Sequence, residues 1–197
     1  MANTTIYDNP SFQKILITTE EIILEKGCRK TTLRDIIERS GLSKGAIYHY
    51  VESKDELFGL ILQSKIEKMN EEFHQAVANS LRESASKPFG VVSENFDSRQ
   101  NKKDAANLIF VYLLSQENEK VTNILNQVYR YSKETGIRWI KMGQENGVIP
   151  KEINAEKMAV MFMTFSYGLR VTQFLSAAEE EKIELSDIFK LLTKTLT

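Results

Sequence analysis

Residues 31 to 57 constrain the fold of this chain most, because helix start and stop signals follow one another within this stretch. Thr32, followed three residues later by Asp35, resembles a capping box in which Asp replaces the usual Glu or Gln. Gly41 ends this helix, since glycine adopts a left-handed backbone at little cost. Ser43 can cap the helix that follows. These signals predict two short helices joined by a tight turn.

The second of these helices is predicted to have two different faces. Ile47 and Val51, which are four residues apart, anchor it to the core. The opposite face carries Lys44, Gly45, Tyr48 and His49. A short helix with a basic, hydroxyl-bearing face suits the DNA major groove, and glycine lets the backbone approach the duplex closely. The pattern therefore predicts a helix that reads DNA.

A third helix is predicted to start at Ser53, where Glu56 completes a Ser-x-x-Glu capping box. Lys54 and the N-terminus of this helix can both hold a DNA phosphate. An apolar stripe then continues the helix to about residue 81: Phe58, Leu62, Ile66, Met69, Phe73 and Val77. A domain boundary is therefore expected inside this helix and not in a flexible linker.

The spacing of the whole stretch closely resembles the head of the TetR family of bacterial transcriptional repressors, over residues 11 to 60. The resemblance is carried by Thr32, Ile36, Gly41, Ser43, Gly45, Tyr48, Tyr50, Ser53, Lys54 and Leu57. Ile37 and Ser40 replace two alanines of the family pattern. Leu42 and Val51 replace a valine and a phenylalanine, which keeps the core character. The resemblance implies DNA contacts by Thr32, Ser43, Lys44, Gly45, Ala46, Tyr48, His49, Tyr50 and Lys54. A helix-turn-helix that serves packing alone is the alternative.

The charge of the chain is uneven. Residues 26 to 54 carry seven basic against three acidic residues, a local net charge of +4, whereas the whole chain carries −1. A basic patch on a near-neutral protein fits specific DNA binding, although a solvated charged surface gives the same pattern. The single cysteine, Cys28, cannot form an internal disulfide. It is predicted to be a small buried residue, with a redox-sensing thiol as the alternative.

An all-α fold of about nine helices is predicted, because only three prolines and nine glycines interrupt 197 residues. The first helix starts at Asn9-Pro10 and carries a stripe of Phe12, Ile15, Leu16, Thr19, Ile22 and Ile23. Further helices are expected near 89–96, 105–114, 121–147, 154–178 and 185–196. The segments 108–114 and 154–178 are apolar on several sides and are expected to be buried all round.

The resemblance implies a DNA-binding domain over residues 1–56 and an effector-binding and dimerisation domain over 57–197. Its last two long helices would pair with those of a second subunit, and the homodimer would read a palindrome. The interface is predicted at Ala159, Phe162, Phe174, Ile188 and Leu192. The alternative is that these helices only close the core of one protomer.

A small-molecule pocket is also implied, with an unknown effector that would release the repressor from its operator. Its lining is predicted at Phe110, Tyr131, Trp139, Phe162, Phe165 and Arg170. Such residues are more often plain core.

Other classes of protein are disfavoured. Two histidines and one cysteine leave almost no material for a zinc or catalytic cluster, so no enzyme activity, metal or cofactor is expected. The alternative function is a helical ligand-binding dimer without specific DNA binding. The first ten residues do not read as a signal peptide, and the longest uncharged runs have 12 residues, too short for a bilayer. A cytoplasmic protein without a membrane partner is expected.

Overall fold

The computed structural model describes residues 6–83, 104–147, 149–175 and 187 of the chain. A 3-10 turn over Ile6–Asp8 precedes seven α-helices, and the described residues contain no strand. The helices are α1 (Pro10–Lys26), α2 (Leu33–Ser40), α3 (Lys44–Tyr48), α4 (Lys54–Glu83), α5 (Ala105–Leu114), α6 (Glu119–Glu145) and α7 (Ala155–Leu175). The predicted all-α class is confirmed. The predicted helices near 89–96 and 185–196 lie outside the described residues.

The described residues fall into two compact units. The first contains the chain up to Lys65 together with residues 104–128, and the second contains residues from Ile66 and from Tyr129 onward. The division passes through the continuous helices α4 and α6. The domain ranges 1–56 and 57–197 stay a prediction.

The first unit is built on α1. Asn9 caps this helix by accepting the backbone N–H groups of Ser11 and Phe12, at 2.9 and 3.2 Å. The predicted stripe is confirmed, because every one of its six side chains is buried. Side chains from other helices and from the link between α3 and α4 complete this core: Ile36, Ile47, Val51, Leu57, Phe58, Ile61, Ile109 and Leu113. Helix α1 contacts both α2 and α5, so the short helices α2 and α3 belong to a continuous apolar core.

The second unit has its own apolar centre at Trp139 of α6. The indole ring stacks on Phe73 of α4 with centroids 5.0 Å apart. Its Nε1–H donates to the Asn70 side-chain oxygen at 2.9 Å. Met69, Val77 and Met142 pack around the ring pair. Helices α6 and α7 approach closely where a methyl group on Gly136 would lie 3.3 Å from the Ala159 Cβ.

Two helices expected to be buried all round are not. On α5, Val111 and Leu114 are exposed, while Ile109 and Leu113 are buried. On α7 the exposed apolar residues are Met161, Phe165 and Val171. Each helix packs within its unit through one face only, so its uniformly apolar sequence leaves apolar side chains on the outside. Within a single protomer, the described parts of both helices are therefore buried on one face only.

Candidate nucleic-acid interface

Helix α2 begins with the predicted capping box. The Thr32 Oγ1 accepts the Asp35 backbone N–H at 3.2 Å, and the Asp35 carboxylate accepts the Thr32 backbone N–H at 2.8 Å. Lys26 forms an ion pair with the same carboxylate at 2.7 Å. Asp35 therefore fixes the start of α2 and links it to the end of α1.

The turn between α2 and α3 has the predicted chemistry. Gly41 adopts the left-handed region with φ of 66°, and its N–H donates to the Ile37 carbonyl at 3.1 Å. The Ser40 hydroxyl oxygen accepts the Leu42 N–H at 3.3 Å. Ser43 caps α3 by accepting the Ala46 N–H at 3.1 Å. Side-chain acceptors and one glycine thus set the orientation of α3 relative to α2.

Helix α3 has one buried and one exposed face. Ile47 is fully buried, and Val51 directly after the helix is 2 % exposed. The exposed positions are Ser43, Lys44, Gly45, Tyr48 and His49. An added Cβ at Gly45 would have no neighbour closer than the Ser43 Oγ at 3.9 Å, so packing within the protein does not require glycine there.

Two predicted DNA-contact residues are more enclosed. Ala46 is half-buried, and so is Tyr50. The Tyr50 ring packs on Phe12 of α1 with centroids 4.8 Å apart and lies edge-on to His49. This ring therefore supports the face that carries His49.

Lys54 has a different set of partners from the predicted phosphate. Its ammonium group donates to the backbone carbonyls of Cys28, Arg29 and Thr31, at 3.1, 3.2 and 3.1 Å. It also lies 5.3 Å from the centre of the Tyr112 ring. Three carbonyls match the three N–H donors of an ammonium group. In the free protein, Lys54 points to the loop between α1 and α2.

The Ser53 cap is present, but its capping box differs from the predicted one. The Glu56 N–H donates to the Ser53 hydroxyl oxygen at 3.1 Å. The Glu56 carboxylate reaches one residue further back and accepts the Glu52 N–H at 2.7 Å. The start of α4 is therefore fixed on both sides of Ser53.

Cys28 is buried, as predicted, with 6 % of its surface exposed. Burial raises the pKa of its thiol to about 11. A thiol with so high a pKa forms little of the reactive thiolate near neutral pH, which disfavours the redox-sensing alternative.

Replacing Asp35 with Ala should lower the free energy of unfolding by about 1 kcal/mol, because one cap is lost. The Lys26 ammonium and the Thr32 hydroxyl lower the pKa of this carboxyl group to about 2. Since that pKa lies below the ordinary value of 3.8, the stabilisation is present above about pH 4 and disappears as the pH falls towards 2. Urea unfolding of both proteins across this range measures the difference. A difference that persists at pH 2 would contradict the assignment, and Glu38→Ala, in an exposed pair with Arg34, is the control.

The predicted pocket residues are distributed over both units. Phe110 belongs to the first unit, and the other five belong to the second. Trp139 is buried, Phe165 is exposed, and the remaining side chains are half-buried. Tyr131 donates its hydroxyl to the Glu67 carboxylate of α4.

The predicted dimer interface needs one correction. Ala159 is 1 % exposed and packs on Gly136 within its own protomer, so it cannot present a free surface. Phe162 is half-buried. The side chain of Phe174, and residues Ile188 and Leu192, lie outside what the structure describes. Met161 and Val171, which are exposed, were not among the predicted residues, because the apolar residues around this helix do not reveal which side faces outward.

The geometry of α2, the turn and α3 is that of a helix-turn-helix DNA-binding protein, with the second helix presenting an outward face. Residues 15–61 match the family of bacterial regulatory proteins described as the tetR family. The HTH-type transcriptional regulator YfiR of Bacillus subtilis is 26% identical over 195 residues, which cover 93% of this chain and 90% of YfiR. The chain carries a TetR-family DNA-binding domain and is a TetR-like DNA-binding regulator.

Solved structures agree with this fold. The fatty acid degradation regulator FadR of Bacillus halodurans superimposes with a TM-score of 0.66 at 15% identity, over 95% of both chains. FadR of Bacillus subtilis, solved in complex with stearoyl-CoA, gives 0.64 at 16% identity, over 94% of this chain and 97% of that chain. None of the described helices is both long and apolar enough to cross a membrane.

Proposed function

We propose that this protein is a repressor that binds a palindromic operator as a homodimer and is released by a small-molecule effector. The observation that supports operator reading most directly is the outward face of α3. Lys44, Gly45 and His49 are exposed there, while Ile47 is fully buried. Packing within the protein leaves room for a larger side chain at Gly45. A glycine at this exposed position is explained by close approach of the helix backbone to the DNA. Its site of action would be the cytoplasm.

Footprinting on the DNA directly upstream of the gene tests this proposal, at about 150 mM salt with excess competitor DNA, because affinity depends strongly on salt. The expected result is a protected palindrome. Half-sites one helical turn apart, about 34 Å, would fit two α3 helices related by a two-fold axis. Weak, sequence-independent binding to all DNA tested would favour the alternative, a ligand-binding dimer without specific DNA recognition.

Lys44→Ala should reduce the preference for the operator over random DNA. Lys44 lies at the first position of α3, where its ammonium group is 5.4 Å from the centre of the Tyr48 ring. If it contacts a guanine edge, its loss costs about 1–3 kcal/mol of discrimination. Competition binding with operator and scrambled duplexes measures the ratio. Lys120→Ala, exposed at the start of α6, removes the same charge and should leave the ratio unchanged; an equal effect of both variants would refute the assignment.

Dimerisation is proposed to use the exposed face of α7. Met161 and Phe165 are one helical turn apart and are 46 and 37 % exposed, and Val171 is 42 % exposed. Large exposed apolar side chains grouped on one helix are typical of a protein–protein contact. Here Phe165, first predicted to line the pocket, is assigned to the dimer interface.

Phe165→Glu should produce a monomer, because a carboxylate would be buried without a partner in the interface. Sedimentation at micromolar concentration measures the mass. Asn126→Glu on the exposed side of α6 is the control and should remain dimeric. The proposed interface is wrong if Phe165→Glu sediments as a dimer.

The effector is proposed to bind in the second unit, near Tyr131, Trp139 and Glu67. Aromatic side chains can hold an apolar ligand, and a carboxylate beside them can orient its polar group. Stearoyl-CoA is a reasonable first probe, because FadR of Bacillus subtilis was solved with it. Trp139 is the single tryptophan, so its fluorescence reports binding directly.

Binding of the effector and binding of the operator must be coupled reciprocally: the effector weakens operator binding by the same factor by which the operator weakens effector binding. A compound that binds tightly without changing operator affinity is not the effector.

A further inference from the structure

Most basic side chains of the helix-turn-helix region already have partners within the protein. Lys26 pairs with Asp35 at 2.7 Å, and Arg34 pairs with Glu38 at 2.8 Å. Arg39 forms a bidentate ion pair with the Glu25 carboxylate, with both N–O distances at 2.7 Å. The ammonium group of Lys54 is surrounded by three carbonyls. The local charge of +4 is therefore not spread evenly over the surface available to DNA.

Within the described part of the chain, three other basic residues of this region form neither an ion pair nor a side-chain hydrogen bond. They are Lys44 on α3 and the neighbours Arg29 and Lys30 in the loop between α1 and α2, all described and all exposed. Arg29 and Lys30 are neighbours in the sequence and both are exposed, so both cations are available to an anion from outside the protein. A phosphate accepts hydrogen bonds from arginine and lysine together. The arrangement of charges thus favours an anion at Arg29 and Lys30.

The loop that carries these two residues is held in place from inside. Lys54 contacts three of its carbonyls, and Thr31, fully buried, donates its hydroxyl to the Gly27 carbonyl at 2.9 Å. The carbonyl oxygens are turned towards the ammonium group, which compensates their negative charge. Because the loop is already ordered, little conformational entropy is lost when its side chains bind a partner.

The loop is also tied to the chain directly after α3. Lys54 is the first residue of α4 and follows Tyr48, the last residue of α3, by six positions. A protein that places α3 in the major groove contacts the phosphates beside that groove through neighbouring segments. The loop is therefore placed to bind the DNA backbone next to the groove that α3 occupies.

We propose that Arg29 and Lys30 form a phosphate-binding site of the DNA interface, and that Lys54 is a positioning residue that holds their loop in the binding conformation. This inference rests on the proposed operator binding. It replaces the expectation that Lys54 itself contacts a phosphate. Base recognition stays with α3, and the loop adds affinity that does not depend on sequence.

The double variant Arg29→Ala, Lys30→Ala tests the site. Its affinity should fall roughly 10- to 100-fold for operator and for random DNA alike. The slope of log affinity against log salt should become shallower by about 2 for each bound subunit. The control Lys151→Ala, Lys157→Ala removes two charges from exposed positions of the second unit and should change neither quantity. If wild type binds the operator but the double variant binds equally well with the same slope, the phosphate site is refuted. Failure of wild type to bind any operator would instead reject the proposed function.

Lys54→Met tests the positioning role, because it keeps the length of the side chain and removes its donors. Cys28 is a buried residue of this loop and the single cysteine of the chain, so the rate at which its thiol reacts with a disulfide reagent reports opening of the loop. The rate should rise at least about tenfold in Lys54→Met. DNA affinity should fall in the wild-type background but not further in the Arg29→Ala, Lys30→Ala background. A further loss there, with an additional decrease of about 1 in the salt slope, would show that Lys54 binds phosphate directly.

Discussion

Trp139→Ala should lower the free energy of unfolding by about 3–5 kcal/mol, the range for removing a large buried aromatic side chain. The indole ring is 5 % exposed and stacks on Phe73. Its N–H donates a hydrogen bond to the side-chain oxygen of Asn70. The substitution leaves a cavity between α4 and α6 and leaves the Asn70 side chain without its donor. Urea unfolding followed by circular dichroism measures the loss without relying on tryptophan fluorescence.

Trp139→Phe separates packing from hydrogen bonding. It keeps an aromatic ring against Phe73 but removes the N–H that donates to Asn70, so a smaller loss of about 1–2 kcal/mol is expected. A double-mutant cycle with Phe73→Ala should show a coupling of about 0.5–1.5 kcal/mol from the ring pair. If Trp139→Ala costs less than Trp139→Phe, the centre of the second unit lies elsewhere.

The helix-turn-helix could be predicted in detail because its determinants are local. The Thr32 capping box, the Gly41 turn and the Ser43 cap each involve residues within four positions of one another. The apolar stripe of α1 is equally local, since helical spacing alone places its members on one side. In these segments, short-range hydrogen bonding and periodicity agree with the tertiary packing.

The partners of Lys54 could not be predicted, because they are backbone carbonyls 23 to 26 residues away. A lysine after a helix cap has the same sequence pattern whether it faces DNA or its own protein. The Glu56 contact with the Glu52 N–H shows a similar limit at shorter range, because one residue of shift in a cap leaves the pattern unchanged.

The exposed faces of α5 and α7 could not be predicted from the sequence either. A helix that is apolar on all sides has no periodic signal to distinguish the face that packs in its own protomer from one that packs elsewhere. Ala159 is buried on Gly136 while Met161, two positions later, is 46 % exposed. Only the packing of α6 against α7 determines that the first position is buried and the second is exposed.

Gly59→Ala should lower the free energy of unfolding by about 1–2 kcal/mol. Gly59 is buried in α4, and a methyl group there would overlap the Cγ2 methyl group of Ile124 on α6. Ile124 cannot easily yield, because a β-branched side chain in a helix has one strongly preferred rotamer. Overpacking costs about 1–3 kcal/mol, and the better helix propensity of alanine returns up to about 1 kcal/mol.

Ile124→Ala should therefore cost less in the Gly59→Ala background than in wild type, since it removes the overlapping methyl group. Additive losses would mean that the two residues do not share this contact.

Gly45→Ala is the matched control for stability, because an added Cβ at that position meets only the Ser43 Oγ at 3.9 Å. The two glycines should respond in opposite ways. Gly59→Ala should weaken the fold by tightening an internal contact. Gly45→Ala should leave stability unchanged or raise it by up to about 1 kcal/mol through helix propensity, and it should weaken operator binding, because its methyl group projects from the exposed face of α3. Loss of stability in Gly45→Ala would remove the argument that this glycine serves close approach to DNA.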